Sequence, residues 1–333
     1  MTARLEPTRR GERGAALLVV LLLVSVMSIT ALGVAETVAY GARRSANVAA
    51  RDQAAWYLLG AEELARSTIR RTFELDDEVT TLSQPWAVGP IQFDVESGLI
   101  EAELRDASNC FNLNSLAQRR DGGGYDVNEQ AVQTLRHLLA ALDVDPGAAA
   151  RLANGAADWV DADERARNQG AEDYDYAFAD PPYRTANGLF AEVDELRAIS
   201  GVSEGVFRRV RPYLCARGDA EPARLNVNTL KSEDAPLLTA LFEGRLSVDD
   251  AQDIIAERPD NGWRNADAFW VLEDVVILAV DESVRSQIGV AATHFELHAR
   301  VQYLQAFAEA HTLFGVDAGG EARLIRRRMG TLL

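Results

Sequence analysis

Two short stretches hold most of this chain's capacity for chemistry: Asp158-Trp159-Val160-Asp161-Ala162-Asp163-Glu164 and, shortly after, Gly170-Ala171-Glu172-Asp173-Tyr174-Asp175-Tyr176. Asp161 and Asp163 lie two residues apart in what should be a loop after a helix, so both carboxylates can turn toward one point. Glu172, Asp173 and Asp175 return after a glycine-containing turn. Hard oxygen donors in this number, with backbone carbonyls nearby, suit calcium, which takes about 6–8 oxygens at about 2.3–2.6 Å, better than the strict octahedron of magnesium. The D-x-[DN]-x-[DN]-G order of an EF-hand is absent. The same residues would also serve as an ordinary solvated acidic loop, and spacing alone leaves both readings open. Asp158, inside the helical pattern, is expected to cap or to support the ligands.

Little else in the sequence looks catalytic. His137, His294, His298 and His311 are scattered. His294 and His298 share a strand face by parity, without the H-E-x-x-H pattern of a zinc hydrolase, and read as surface or sheet-packing residues. Gly122-Gly123-Gly124 lacks the Lys-Ser/Thr of a phosphate loop and reads as a flexible turn, and there is no G-x-S-x-G. Trp159, Trp263 and Trp270 read as core anchors. The chain therefore shows no nucleophile and base at a recognisable spacing.

Helical periodicity positions the acidic stretches. Helices are expected over residues 129–142, 147–160, 192–200, 204–210, 233–242 and 248–257, which makes the whole middle of the chain, roughly 109–289, helical. Asn112-Leu113-Asn114-Ser115-Leu116 and Asn226-Val227-Asn228-Thr229-Leu230 echo one another within it, each an Asn-capped opening of a helix. Strand alternation lies only outside this block. Residues 91–95 and 99–105 flank Ser97-Gly98 as a hairpin, and 293–303, 307–316 and 321–328 form a second group. Residues 83–90, with Pro85, Gly89 and Pro90, read as a linker or turn. A sheet begun by one hairpin and completed far downstream implies a helical domain inserted between strands.

The first third of the chain sets where all this sits. Residues 15–35 carry no charge and follow Arg9, Arg10, Arg13 and Gly14. At about 1.5 Å per residue they cover roughly the 30 Å of a bilayer core. A cleaved secretory signal has a shorter apolar run of about 7–15 residues, and here the helical pattern continues through residue 75, with no Pro between residue 36 and Pro85. The expectation is one long helix, half in lipid and half on a soluble domain. A formal net charge of -17 over 333 residues argues against a nucleic-acid partner, because phosphate affinity is carried by clustered Lys and Arg. The 47% hydrophobic content is ample for a packed core. With the basic cluster retained in the cytoplasm, the long segment lies outside, where disulfides persist. Cys110 and Cys215, the two cysteines, are then expected to pair, the alternative being two buried thiols.

A polar leader ending in Gly14, followed by a helix apolar from Ala15 onward, resembles a type IV prepilin-like leader, which implies cleavage after Gly14 by a prepilin peptidase. Most such chains carry Glu at the fifth position after the cut; this one has Val19. That departure resembles the K-type minor pseudopilins of type II secretion, the general secretion pathway protein K family, thought to cap the pseudopilus tip. Physically, an ammonium buried among helices in lipid needs a counter-charge, and Val19 offers none to a subunit above. The resemblance runs over nearly the whole chain and implies an α+β fold: a pilin-like long N-terminal helix packed on an antiparallel sheet, with a large all-α domain of SAM-like, helix-hairpin-helix-like elements inserted between strands.

The implied organisation is a leader at 1–14, a transmembrane part at 15–35, the rest of the helix and first hairpin at 36–108, the insert at 109–289 (units 109–223 and 224–289), and closing strands at 290–333. Asp-Trp-x-Asp-x-Asp followed by Gly-Ala-Glu-Asp-x-x-Tyr looks like the family's calcium-binding stretch, which implies Asp161, Asp163, Glu172, Asp173 and Asp175 as ligands. Implied partners are the I- and J-type minor pseudopilins, the prepilin peptidase, the inner-membrane assembly platform, the lipid bilayer and exported proteins, with the head in the periplasm of a bacterial inner membrane. Competing readings are a minor pilin of a type IV pilus, a tethered DNA receptor built on residues 225–272, and an anchored calcium-dependent hydrolase. Against the DNA reading, the hairpin turn Phe242-Glu243-Gly244-Arg245 sets a carboxylate beside its glycine.

Overall fold

Helix α1 (Glu12–Leu75) is continuous from the apolar segment into the head. The computed structural model describes residues 12–317 and 319–330, so most of the expected leader, residues 1–11, lies outside the described residues. The helix from Ala15 is long and apolar enough to cross a membrane. Its hydroxyls are self-sufficient there: Ser25, Ser28 and Thr37 each donate to the carbonyl four residues back, at 2.8 Å. No side-chain donor is thus left to be satisfied by lipid.

Beyond residue 48 the helix acquires a buried stripe, Ala50, Ala54, Leu58, Ala61, Ala65, Ile69 and Phe73, at steps of three and four residues. Small alanines at most of these steps let the helix lie close on the sheet, whose inward residues Phe295, Leu297, Ala299, Val301, Ala308, Ala310 and Phe314 complete the same core. One carboxylate is buried in this interface, paired with a guanidinium at its solvent edge. Glu62, 3% exposed, accepts from Thr312 Oγ1 at 2.9 Å and from Arg327 Nε at 2.6 Å. Glu62→Ala would leave a guanidinium and a hydroxyl without their acceptor. A loss of about 3 kcal/mol is expected, measured by denaturant unfolding of the detergent-solubilised chain. An unchanged midpoint would mean that the pair does not hold the helix.

The sheet is antiparallel throughout, in the order β1-β2-β9-β10-β11, with β1 Ile91–Val95, β2 Gly98–Asp106, β9 His294–Tyr303, β10 Ala306–Val316 and β11 Ala322–Gly330. The expected hairpin turns at Ser97, which adopts a φ of 64°. β2 pairs directly with β9, Ile100 opposite Val301 and Leu104 opposite Leu297. The insert therefore leaves from the end of one strand and returns into its neighbour. A polar neck fastens it: Ser108 Oγ accepts from Thr293 N at 2.8 Å, while Asp106 Oδ2 accepts from Thr229 Oγ1 at 2.7 Å and Asn226 Nδ2 at 2.9 Å. Burial holds the Asp106 carboxyl above the usual carboxylate range.

Of the two readings for residues 83–90, linker or turn, the structure has the turn: Pro85–Ala87 form a 3-10 turn that buries Trp86 edge-on against Phe295 at 5.1 Å. One expectation is corrected: the middle is not wholly helical. Three two-stranded ladders punctuate it: β3 (Phe111–Asn112) with β6 (Leu214–Cys215), β4 (Ala117–Arg119) with β5 (Tyr125–Val127), and β7 (Leu225–Asn226) with β8 (Ile288–Gly289). Gly122-Gly123-Gly124 lies in the turn joining β4 to β5. The remaining segments fold close to their expected bounds as α2 (Glu129–Ala141), α3 (Pro146–Val160), α5 (Glu204–Val210), α6 (Ala235–Leu241) and α7 (Val248–Ala256). Asn128, Asp145, Ser203 and Ser247 cap four of them by accepting an N–H three residues on.

The two Asn motifs are structural echoes. Asn114 accepts from Phe190 N at 2.6 Å and donates to Phe190 O at 2.9 Å. Asn228 does the same with Trp263, at 2.7 and 2.9 Å. Each motif sits beside a parallel two-residue ladder, and both units share one hydrophobic core. Only the first opens a helical turn, Leu113–Leu116; the second continues as a plain turn.

Candidate cation site in the inserted domain

Helix α3 delivers two carboxylates to its own C-terminal end. Asp158 is completely buried and Asp161 is 5% exposed, while Asp163 follows in the exposed loop. Trp159 between them anchors this end, edge-on to Tyr176 at 5.8 Å and stacked on Phe190 at 6.3 Å, its indole N–H donating to Glu195 at 3.1 Å. The chain then loops back so that Arg167 N donates to Asp158 Oδ2 at 3.0 Å. Gly170 makes the return possible, since a Cβ there would lie 1.9 Å from the same oxygen. Glu172, 3% exposed, arrives at the start of the short helix α4 (Asp173–Tyr176).

Ligand oxygens of Asp161, Asp163 and Glu172 all lie within 4.8 Å of one another. Asp158 Oδ1, Asp161 Oδ1 and Glu172 Oε1 are buried without a hydrogen-bond partner. Burial pushes the Asp158 carboxyl up to about 6, against the opposing pull of the Arg167 N–H and the Arg167 charge. Burial and then the charges of Asp163 and Asp158 push Asp161 up to about 7. Burial and then Asp161 push Glu172 up to about 8. Cations close by are engaged elsewhere: Arg167 holds Glu129 through two bonds of 2.7 Å, and Arg120 pairs with Asp126. Buried acceptors facing one another without donors call for a proton or a cation. An all-oxygen, multiply anionic donor set fits calcium.

Asp173 and Asp175, expected in the same ligand set, direct bonded oxygens elsewhere. Asp173 Oδ1 accepts from Thr185 N at 2.9 Å and Thr185 Oγ1 at 2.8 Å, and Asp175 Oδ2 accepts from Glu172 N at 3.0 Å, capping α4. They shape the loop that presents Glu172. Asp158, expected to cap or to support the ligands, stands outside the converging group of Asp161, Asp163 and Glu172 and is buried with its Oδ1 unpartnered. Gly14 and Ala15 lie within α1, away from this site. Cys110 and Cys215 are bonded, with Cα atoms 5.8 Å apart, fastening the ladder of β3 and β6. The 243–244 turn is exposed and lies against α2: Gly244, at φ 71°, would place a Cβ 3.2 Å from His137 Nδ1.

Residues 109–219, which contain the acidic loop, match the family model for type II secretion system (T2SS), protein K, and residues 225–290 match a second model of the same description. Type II secretion system protein K of Aeromonas hydrophila is 39% identical over 329 residues, covering 97% of this chain and 99% of its own. The chain belongs to the type II secretion system protein K family. Another K-family protein, from Pectobacterium carotovorum, is 32% identical over 324 residues, 97% of this chain and 98% of its own. A chain in the crystal structure of the GspK-GspI-GspJ complex from enterotoxigenic Escherichia coli superposes with a TM-score of 0.72 at 29% identity, over 84% of this chain and 96% of that one. The pilin-like helix on a sheet, interrupted by a helical domain, is thus the K-family architecture.

Proposed function

We propose that this chain is a minor pseudopilin that ends the pseudopilus and helps to start its assembly, in a complex with I- and J-type partners, for export of folded proteins. One observation carries the tip position. The insert is fastened to the end of α1 farthest from the apolar segment: Arg264 pairs with Asp76 at 2.5 Å, Asn226 donates to Thr80 O at 3.1 Å, and Thr80 N donates to Val290 O at 2.9 Å. On β11, Arg326 donates to Ala191 O at 3.0 Å, joining the sheet edge to the insert as well. A subunit stacked above would have to occupy the volume the insert fills. Val19 adds that no carboxylate is offered to the amine of such a subunit.

In this reading the leader is removed after Gly14 by a prepilin peptidase, the helix from Ala15 stays in the bacterial inner membrane, and the head lies in the periplasm. The GspK-GspI-GspJ complex supports I- and J-type partners. Function is by assembly rather than catalysis. Calcium, held by Asp161, Asp163 and Glu172 with Asp158 beside them, would neutralise the buried carboxylates and fix the surface the insert presents. The test is gold labelling of the insert in pseudopili grown from membranes containing the sister subunits. One label at one end is expected; labels repeated along the shaft would overturn the proposal.

A further inference from the structure

The sheet face turned away from α1 carries a second cluster, unrelated to the acidic loop. Strand alternation sends His298 from β9, and Glu309 and His311 from β10, to that face. Register sets His298 directly opposite His311. The two imidazoles stack with centroids 4.2 Å apart and planes 18° from parallel. One carboxylate oxygen, Glu309 Oε1, bonds His298 Nε2, stands 3.5 Å from His311 Nε2 and accepts from Arg300 Nε at 3.3 Å.

We propose that His298, His311 and Glu309 form a binding site for zinc, open to solvent at a fourth coordination position. One ligand atom from each residue lies within 4.8 Å of the others. Tetrahedral zinc, with bonds of about 2.0–2.1 Å, keeps its ligands about 3.3 Å apart. Turning the two imidazoles out of their stack about χ1 and χ2, so that both in-plane lone pairs converge, closes that difference, while the paired strands fix the Cα positions. Two imidazole nitrogens and one carboxylate suit zinc, copper or nickel and are poor donors for calcium, so the acidic loop and this cluster select different metals.

Neighbouring groups fit a metal at this place. Glu296 Oε1 stands 4.0 Å from His311 Nδ1, on the ring edge that the metal does not use, where a carboxylate orients a ligating imidazole. Arg300 competes for Glu309, but its Nη1 lies 3.7 Å from Glu101 Oε1, so it retains a partner once zinc takes Glu309. All three side chains are partly exposed, which provides a path of access.

The experiment uses the full chain, purified in detergent without a polyhistidine tag, stripped by chelator and titrated with zinc in excess calcium. One zinc per chain is expected, with intense visible absorption on cobalt substitution marking four-coordination. His298→Gln and His311→Gln should each weaken zinc at least tenfold, whereas Asp161→Asn should leave it unchanged. Far-UV circular dichroism of the glutamine variants confirms that they fold. Wild-type zinc affinity in the folded double variant, or failure of the wild-type chain to take up zinc, would overturn the site.

Discussion

Cys110→Ser/Cys215→Ser is expected to lower the stability of the inserted domain by about 4 kcal/mol, because the bond closes a loop spanning a sequence separation of 105. Released, the loop regains its chain entropy in the unfolded state, and it contains α2, α3, the acidic loop and α5. In the folded state the two-residue ladder of β3 and β6 would then have to hold the closure unaided. At about 2–4 °C per kcal/mol for a domain of this size, melting should fall by roughly 8–16 °C. Scanning calorimetry of the oxidised wild type, the reduced wild type and the double variant measures it. Superimposable melting curves would show that the core around Leu135, Leu138 and Leu152 holds the loop without help.

The second large effect is the pH response of chelator-treated protein. Asp158, Asp161 and Glu172 bind their protons more tightly folded, up to about 6, 7 and 8, than in an unfolded chain, where carboxylates titrate near 4. The folded state therefore carries more protons through this window, and its stability falls as pH rises from about 4 to about 8. The loss should reach at least about 3 kcal/mol, a melting decrease of roughly 6–12 °C. Calcium at about a hundredfold excess over its dissociation constant should restore about 2.7 kcal/mol at the alkaline end. Asp161→Asn/Glu172→Gln substitutes neutral amides for the protonated acids, so the calcium response should vanish and the pH slope should shrink to the share of Asp158, between about pH 4 and 6, while the fold remains. A melting temperature independent of pH in chelator would contradict the buried-carboxylate account, and one that slopes but ignores calcium would contradict the cation.

Features with a local physical cause were legible in the sequence. The apolar run before residue 36, the turn at Ser97-Gly98 and the helix starts at Glu129, Glu204 and Val248 act within a few residues, and helices and strands begin there. Features made by long-range pairing were not. The ladder joining Phe111 to Leu214 is two residues long and leaves no periodicity to read. The turn at residues 83–90 could be read, but not the packing of its Trp86, because the partner Phe295 lies on a strand beyond the insert. His298 and His311 seemed scattered until the register of β9 against β10 set them opposite each other. In the acidic loop, composition pointed to oxygen donors, but which carboxylates converge depended on Thr185 engaging Asp173 and on the N–H of Glu172 engaging Asp175.

The paired Asn114–Phe190 and Asn228–Trp263 clasps differ in reach: the first closes over a sequence separation of 76, the second over 35. Much of the excess is the acidic loop, so one half of the domain closes the same clasp with no such elaboration. The protein thus contains its own reference state, a scaffold already solved once without the loop. Mutational drift in the loop can then rearrange its carboxylates without redrawing the frame that bears them.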